Sequence, residues 1–264
     1  MDYELKTYYL DKPLVIGRVF DVFIPSEIKK DIAIFIVHGG GWRAGSRQCF
    51  HSIMEEFCNR GYMVATTDYR LYAKDAFEQV ADIRETYDAF VSLLKEKNLP
   101  LKIAVYGESA GAHLVSLLSC ANPGEIGEKC NLKNEWVKPY CVMLQSTPVD
   151  FLPFESMMPS MRRSMQSIAG APYEQEPERY QRLSLINYIR EDNPQIFFME
   201  AQYENLFYSH HTKAVCDKHN TMGIESKWKV YEGAEHGFFF ELERKVQKEA
   251  FEDICAYLEG NLVL

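Results

Sequence analysis

Ile103-Ala104-Val105-Tyr106-Gly107-Glu108-Ser109-Ala110-Gly111-Ala112-His113-Leu114-Val115 passes from a short apolar run, through a corner holding two glycines, into a segment with helical composition. The corner reads G-x-S-x-G. A chain that reverses within about one turn forces its central residue into a strained backbone conformation. Gly107 and Gly111 remove the Cβ atoms that would collide at so tight a corner. Ser109 is then expected at the carboxyl end of a strand. The N–H of Ala110 turns toward the same spot, at a helix N-terminus that favours negative charge. A serine in a glycine-rich turn also has a purely structural reading, so the surrounding chain must decide.

Outward from this corner, strand and helix patterns alternate. Ile32 to Val37 is a continuous, mostly β-branched run, suited to a central strand covered on both faces. Tyr62 to Thr67, Cys141 to Gln145, Ile196 to Met199 and Lys227 to Tyr231 read as further strands. An edge strand is expected over Val15 to Phe23, ended by Pro25, with another around Lys6 to Leu10 before it. Helices are predicted at Phe50–Asn59, Phe77–Lys97, Ala110–Leu118, Ser209–Asn220 and Arg244–Leu258. Ala121 to Pro139 is polar and irregular, a loop. Such alternation implies an α/β fold with a mostly parallel sheet and right-handed crossovers. The stretch 151–193 interrupts it with Met157, Met158, Met161, Met165 and several prolines, and is too long for a plain connection. With no repeat or linker evident, 1–264 reads as one domain with an insertion at 151–193. That insertion is expected to form a small lid over Ser109. Its methionines and the rings of Phe151, Phe154 and Tyr173 would be offered to an apolar ligand, the alternative being a satellite core.

Composition narrows the class. A net charge of −9, without a basic cluster, argues against a nucleic-acid or anionic-membrane surface. No apolar run approaches a membrane span, and the Met1-Asp2-Tyr3-Glu4-Leu5-Lys6 start lacks the pattern of a signal peptide. The seven cysteines (Cys49, Cys58, Cys120, Cys130, Cys141, Cys216 and Cys255) are scattered and form no C-x-x-C pair. They are expected to be reduced, mostly as small core residues, in a cytoplasmic protein without a zinc site.

Two further motifs carry chemistry. His38-Gly39-Gly40-Gly41-Trp42 follows the central strand. Its glycines let the backbone approach a ligand and aim successive N–H groups at it. Gly40, Gly41 and Ala110 would donate to a developing oxyanion, while His38 is expected to pin the loop. Glu232-Gly233-Ala234-Glu235-His236-Gly237-Phe238 follows the last predicted strand, and His236 there can reach the serine and take its proton. His113 is expected to be packed, and His51, His210, His211 and His219 to lie on helix surfaces. Three acids compete to orient His236. Glu204, in the loop before a helix, is favoured, with Glu200 and Asp150 as alternatives. Trp42, Met157 and Met158 are the expected substrate contacts.

Together, Gly107–Gly111, the His38–Trp42 loop and His236 resemble the α/β-hydrolase superfamily. More narrowly, they resemble its esterase/lipase branch with an H-G-G-G-W loop, which includes hormone-sensitive-lipase-like and acetyl or feruloyl esterases. Asp68-Tyr69-Arg70-Leu71 matches a D-Y-R-L segment of that branch. Glu204-Asn205-Leu206-Phe207 matches its acid loop, with Glu in place of Asp. The usual proline after D-Y-R-L and the long N-terminal cap helices of lipase-like members are absent, which bears on acyl-chain preference. The resemblance implies a serine carboxylic-ester hydrolase acting on short acyl esters, acetyl or hydroxycinnamoyl esters of carbohydrates among them. Catalysis would run through Ser109, His236 and Glu204 with no metal or organic cofactor. The partner would be a small-molecule ester, with neither nucleic acid nor membrane, and a homo-oligomer is compatible with the sequence. An amide hydrolase with the same triad, or a catalytically dead binding protein, are the competing readings.

Overall fold

The computed structural model describes residues 3–11, 17–154 and 157–264. Its frame is an eight-stranded sheet in the order β1-β2-β4-β3-β5-β6-β7-β8. The strands are β1 Tyr3–Tyr9, β2 Val19–Pro25, β3 Ala33–Val37, β4 Val64–Thr67, β5 Ile103–Glu108, β6 Cys141–Gln145, β7 Gln195–Tyr203 and β8 Lys227–Glu235. β1 and β2 pair antiparallel, as do β2 and β4, and every other pairing is parallel. The expected α/β fold with a mostly parallel sheet is what the chain adopts.

The β-branched run works as the pleat requires, since alternate residues face opposite layers. Phe35 and Val37 pack toward α2 (Ala76–Glu96) and α3 (Ala110–Cys120), with Val105 and Tyr87. Ile34 and Ile36 face the other layer, α1 (His51–Asn59) and α7 (Lys245–Leu258), with Tyr106 and Phe251. Burying both faces explains why β3 and β5 read as apolar runs without alternation. Asp75 starts α2 by accepting from the Glu78 N–H, an N-cap that satisfies one orphan donor of the first turn.

Several expectations are corrected. β2 is not an edge strand: β1 covers it and all seven of its residues are buried. The expected start of β2 at Val15 lies outside the described residues. β7 and β8 run four residues beyond the expected Met199 and Tyr231, to Tyr203 and Glu235. The extension is a mostly exposed two-stranded ribbon, with a register shift between Ala201 and Tyr203, so it lacks the apolar run that marks the buried strands.

The insertion carries α4 (Pro159–Ala169) and α5 (Pro177–Leu183). Both begin with proline in the first turn, where a missing N–H costs nothing. Met161, Met165, Ile168, Tyr180 and Leu183 join the main core. The aromatic rings of the insertion are largely packed among themselves: Phe154 stacks on Tyr173 at 5.0 Å, and Phe151 meets the edge of His113. α6 (Ser209–Thr221) carries a further correction. His219 is fully buried rather than on the surface, with Nδ1 2.9 Å from the Ser226 hydroxyl.

Candidate active site

β5 delivers Ser109 to the corner with φ 52° and ψ −116°, a conformation that non-glycine residues rarely hold. The neighbouring backbone fixes it. The Ser109 N–H donates to the Gln145 carbonyl at 2.8 Å, and its own carbonyl accepts from His113 N–H at 3.0 Å to start α3. The glycines are required sterically. A Cβ on Gly111 would stand 2.2 Å from the Val37 carbonyl oxygen, and one on Gly107 would stand 2.6 Å from Ala112 N.

The chain of hydrogen bonds from the serine is continuous. His236 Nε2 lies 2.8 Å from Ser109 Oγ, and His236 Nδ1 lies 2.7 Å from Glu204 Oε2 and 3.0 Å from Oε1. A carboxylate can only accept, so Nδ1 carries the proton and Nε2 faces the serine hydroxyl. Glu204 Oε1 also accepts the Leu206 N–H at 2.9 Å, so the turn into α6 holds the acid in place. Burial acts to raise the Glu204 carboxyl; the hydrogen bond and charge of His236 outweigh it, and the group ends below its ordinary value.

The other candidate acids are elsewhere. Glu200 points into the core within β7, where burial first, and the charge of Glu204 further, push it up to about 8 against the hydroxyl of Thr212. Asp150 accepts from the Leu152 N–H and lines a narrow neighbouring slot. Two carboxyls four residues apart are thus driven in opposite directions, and the ionised one meets the histidine.

The His38–Trp42 loop faces the serine across a cavity of about 580 Å³, lined by Gly40, Gly41, Ser109 and His236 among others. Gly40 and Gly41 have φ of 102° and 59°, and a Cβ on Gly40 would stand 2.3 Å from the Ala44 carbonyl oxygen. Carbonyls of this loop are tied away from the cavity. Tyr69 Oη donates to the His38 and Gly39 carbonyls, and Gln79 Nε2 donates to the Trp42 carbonyl at 2.8 Å. His38 is a loop pin: its Nδ1–H donates to the Gly39 carbonyl, its ring stacks on Tyr69 at 4.6 Å, and burial lowers its pKa. Asp68 accepts from the Arg47 N–H at 2.6 Å, and Arg70 forks onto Asp82. Within the D-Y-R-L segment, Tyr69 therefore braces the glycine loop directly, and Asp68 stands 3.5 Å from His38 Nε2. Arg43 then bridges to the insertion, reaching the Ala73 carbonyl at 2.7 Å and the Ser167 hydroxyl at 2.9 Å. Ala110 is buried at the first turn of α3, beside Ser109.

The expected contacts fall less simply. Trp42 lines the cavity but is only 1% exposed, anchored by its Nε1–H to His113 Nδ1 at 3.1 Å. Met157 and Met158 line the neighbouring slot of about 30 Å³ instead of the serine cavity. Met161, Leu206 and Phe207 line both spaces and form the wall between them. The sequence reading did not single out Phe207, Phe240, Ser164 or Glu108 as lining residues. Phe207, inside the acid loop, and Glu108, inside the G-x-S-x-G corner, carry a signal by position; Phe240 and Ser164 carry none. Among the described residues no cluster of His, Cys, Asp or Glu could hold a metal, no helix is long and apolar enough to cross a membrane, and all seven cysteines are unpaired.

Comparison with known proteins agrees with this architecture. Esterase B from Lactobacillus Rhamnosis superposes with a TM-score of 0.79 at 17% identity, covering 98% of this chain and 86% of that one, a likeness of fold. An AB hydrolase superfamily protein of Schizosaccharomyces pombe is 25% identical over 223 residues, 75% of this chain and 61% of that protein. An esterase of Gibberella moniliformis is 35% identical over 86 residues, 31% of this chain and 26% of that one. The match therefore spans about three fifths of the length of the first of these two relatives and about a quarter of the second. The BD-FAE family model matches residues 20–218, most of the 264. On that match the chain belongs to the BD-FAE family, among the esterase/lipase-like α/β hydrolases.

Proposed function

We propose that the protein is a serine carboxylic-ester hydrolase for short acyl esters of small molecules, working through an acyl-enzyme. The observation that carries this is the continuous chain from Ser109 Oγ through His236 to Glu204, opening on a cavity walled by the glycine loop. Ser109 Oγ attacks the ester carbonyl while His236 Nε2 takes its proton, and Glu204 stabilises the imidazolium. The N–H groups of Gly40, Gly41 and Ala110 receive the oxyanion; a donor of this kind contributes about 3 kcal/mol to lowering the barrier. His236 then protonates the leaving alcohol, and water releases the acid.

Acetyl or hydroxycinnamoyl esters of carbohydrates fall within this class. α4 acts as a lid in this reading, because Met161 and Ser164 line the serine cavity. The triad requires no metal or organic cofactor. A cytoplasmic setting belongs to the same proposal, supported by the unpaired, mostly buried cysteines.

The test compares kcat/KM on p-nitrophenyl acetate and on the matching p-nitroacetanilide. The ester should be turned over faster by several orders of magnitude. Preference for the anilide would make the protein an amide hydrolase, and turnover of neither would make it a binding protein.

A further inference from the structure

Glu108 is the carboxylate of the Ser109 cavity that this acyl transfer leaves without a role. It stands immediately before the nucleophile, and its side chain turns back against the glycine loop, where the Gly39 N–H hydrogen-bonds to it. Two glycines make room for it. A Cβ on Gly39 would stand 1.9 Å from Glu108 Oε2, and one on Gly237 would stand 3.0 Å from Oε1. Oε1 lies 3.8 Å from His236 Nε2, the nitrogen that handles the proton. Among the described residues Glu108 is the one carboxylate lining this cavity, whose walls include the apolar side chains of Trp42, Phe50, Met161, Leu206 and Phe240.

We propose that Glu108 is a catalytic residue of the second half-reaction, in which its Oε1 accepts the spare O–H of the water that His236 activates. This rests on the ester-hydrolase reading. Hydrogen bonds of about 2.8 Å let one water span two atoms 3.8 Å apart. The water oxygen bonds to the acyl carbon while one of its protons passes to Nε2. The tetrahedral intermediate then collapses, the carbon–Oγ bond of Ser109 breaks, and Nε2 returns the proton to Oγ. The second water proton stays on the product hydroxyl. In an apolar cavity that O–H needs an acceptor throughout, or its bond to bulk water is lost without replacement. A simple alcohol acting as acyl acceptor has a single O–H, which goes to Nε2, and makes no use of Glu108.

The experiment measures how the acyl-enzyme partitions. The full-length protein and its Glu108→Gln and Glu108→Leu variants are given p-nitrophenyl acetate in a fixed concentration of methanol, and methyl acetate is quantified against acetate. The methanol-to-water product ratio should rise roughly tenfold in Glu108→Leu, as loss of one charge-assisted hydrogen bond in the transition state gives, and less in Glu108→Gln. Without methanol, both variants should release one equivalent of nitrophenol in a burst and then turn over slowly, with kcat and KM falling together. The product ratio is independent of the active fraction, so it stands even if Glu108→Leu folds in poor yield, and the near-isosteric Glu108→Gln gives a second reading. An unchanged ratio, or equal loss of kcat and kcat/KM without a burst, overturns the role of Glu108 while leaving the esterase intact. Absence of any Ser109-dependent nitrophenol release overturns the ester-hydrolase reading itself.

Discussion

Replacing Glu200 by glutamine should make folding stability less dependent on pH, and the structure sets the size and sign of the change. Glu200 lies within β7, fully buried, and its Oε1 has no hydrogen-bond partner. Burial moves its carboxyl from an ordinary 4.5 up to about 8. Between those values the unfolded chain has released a proton that the folded chain still holds. The unfolded state therefore binds fewer protons, and stability falls as pH rises through this window. Below it both states are protonated and the penalty is absent. Each pH unit inside the window removes up to about 1.4 kcal/mol, so on the order of 3 kcal/mol is lost between pH 5 and pH 8. Glutamine keeps the shape and never ionises. Urea unfolding of both proteins at pH 5, 6.5 and 8 isolates the effect, because titrating groups remote from Glu200 cancel in the difference, and Glu204, its charged neighbour, is already ionised throughout that range. Glu200→Gln should gain on the native protein steadily, by on the order of 3 kcal/mol over that range. Parallel stability curves would refute the reasoning, as would a native protein that gains on its variant with rising pH.

Other expectations follow from the same contacts. Glu204→Gln should lower kcat by roughly 10⁴-fold through the wrong imidazole tautomer, whereas Asp150→Asn, whose carboxylate lines the neighbouring slot, should change it little; steady-state kinetics on p-nitrophenyl acetate decide between them. Met161→Ala should change the octanoyl-to-acetyl ratio of kcat/KM, because Met161 walls the serine cavity. Met157→Ala and Met158→Ala should act only on chains long enough to enter the slot; equal effects on all chain lengths would reject α4 as a lid. Gly111→Ala should cost at least about 3 kcal/mol, since its Cβ would stand 2.2 Å from the Val37 carbonyl. Gly233→Ala, at φ 72° with nothing within 4 Å of the added atom, should cost about 1–2 kcal/mol by urea unfolding.

The parts of this molecule that could be read from sequence are those where local chemistry is extreme. The corner at Ser109 needs glycine on both sides for reasons of collision alone, and the His38–Trp42 loop needs glycines to take positive φ, so both show as motifs. Buried parallel strands such as β3 show as β-branched runs because both faces are covered. The features that escaped depend on packing at long range. Both strands of the β1–β2 pair could be read, but not that β1 covers β2, and the mostly exposed β7–β8 ribbon has no apolar run to mark it. The burial of Glu200 beside Thr212, and of His219 against Asn193 and Ser226, depends on segments brought together by the fold, and a polar side chain carries no mark of that in its own identity. Glu108 stands at a variable position of G-x-S-x-G, which the motif leaves unspecified. Its place beside His236 arises only when the loop after β8 folds across the elbow. Methionines 157, 158 and 161 carry the same signal in the sequence, yet Met157 and Met158, before α4, line only the slot, while Met161, in its first turn, lines the serine cavity as well.

The most direct test of Ser109 as an activated nucleophile is intact-protein and peptide mass spectrometry after treatment with a fluorophosphonate, together with p-nitrophenyl acetate turnover on the same samples. The native protein should gain a single adduct per chain, mapped to Ser109, and lose its turnover in step with labelling. Ser109→Ala, folded as judged by urea unfolding, should gain none and turn over nothing. An unlabelled native protein, or a Ser109→Ala variant that still labels and hydrolyses the ester, would contradict the account.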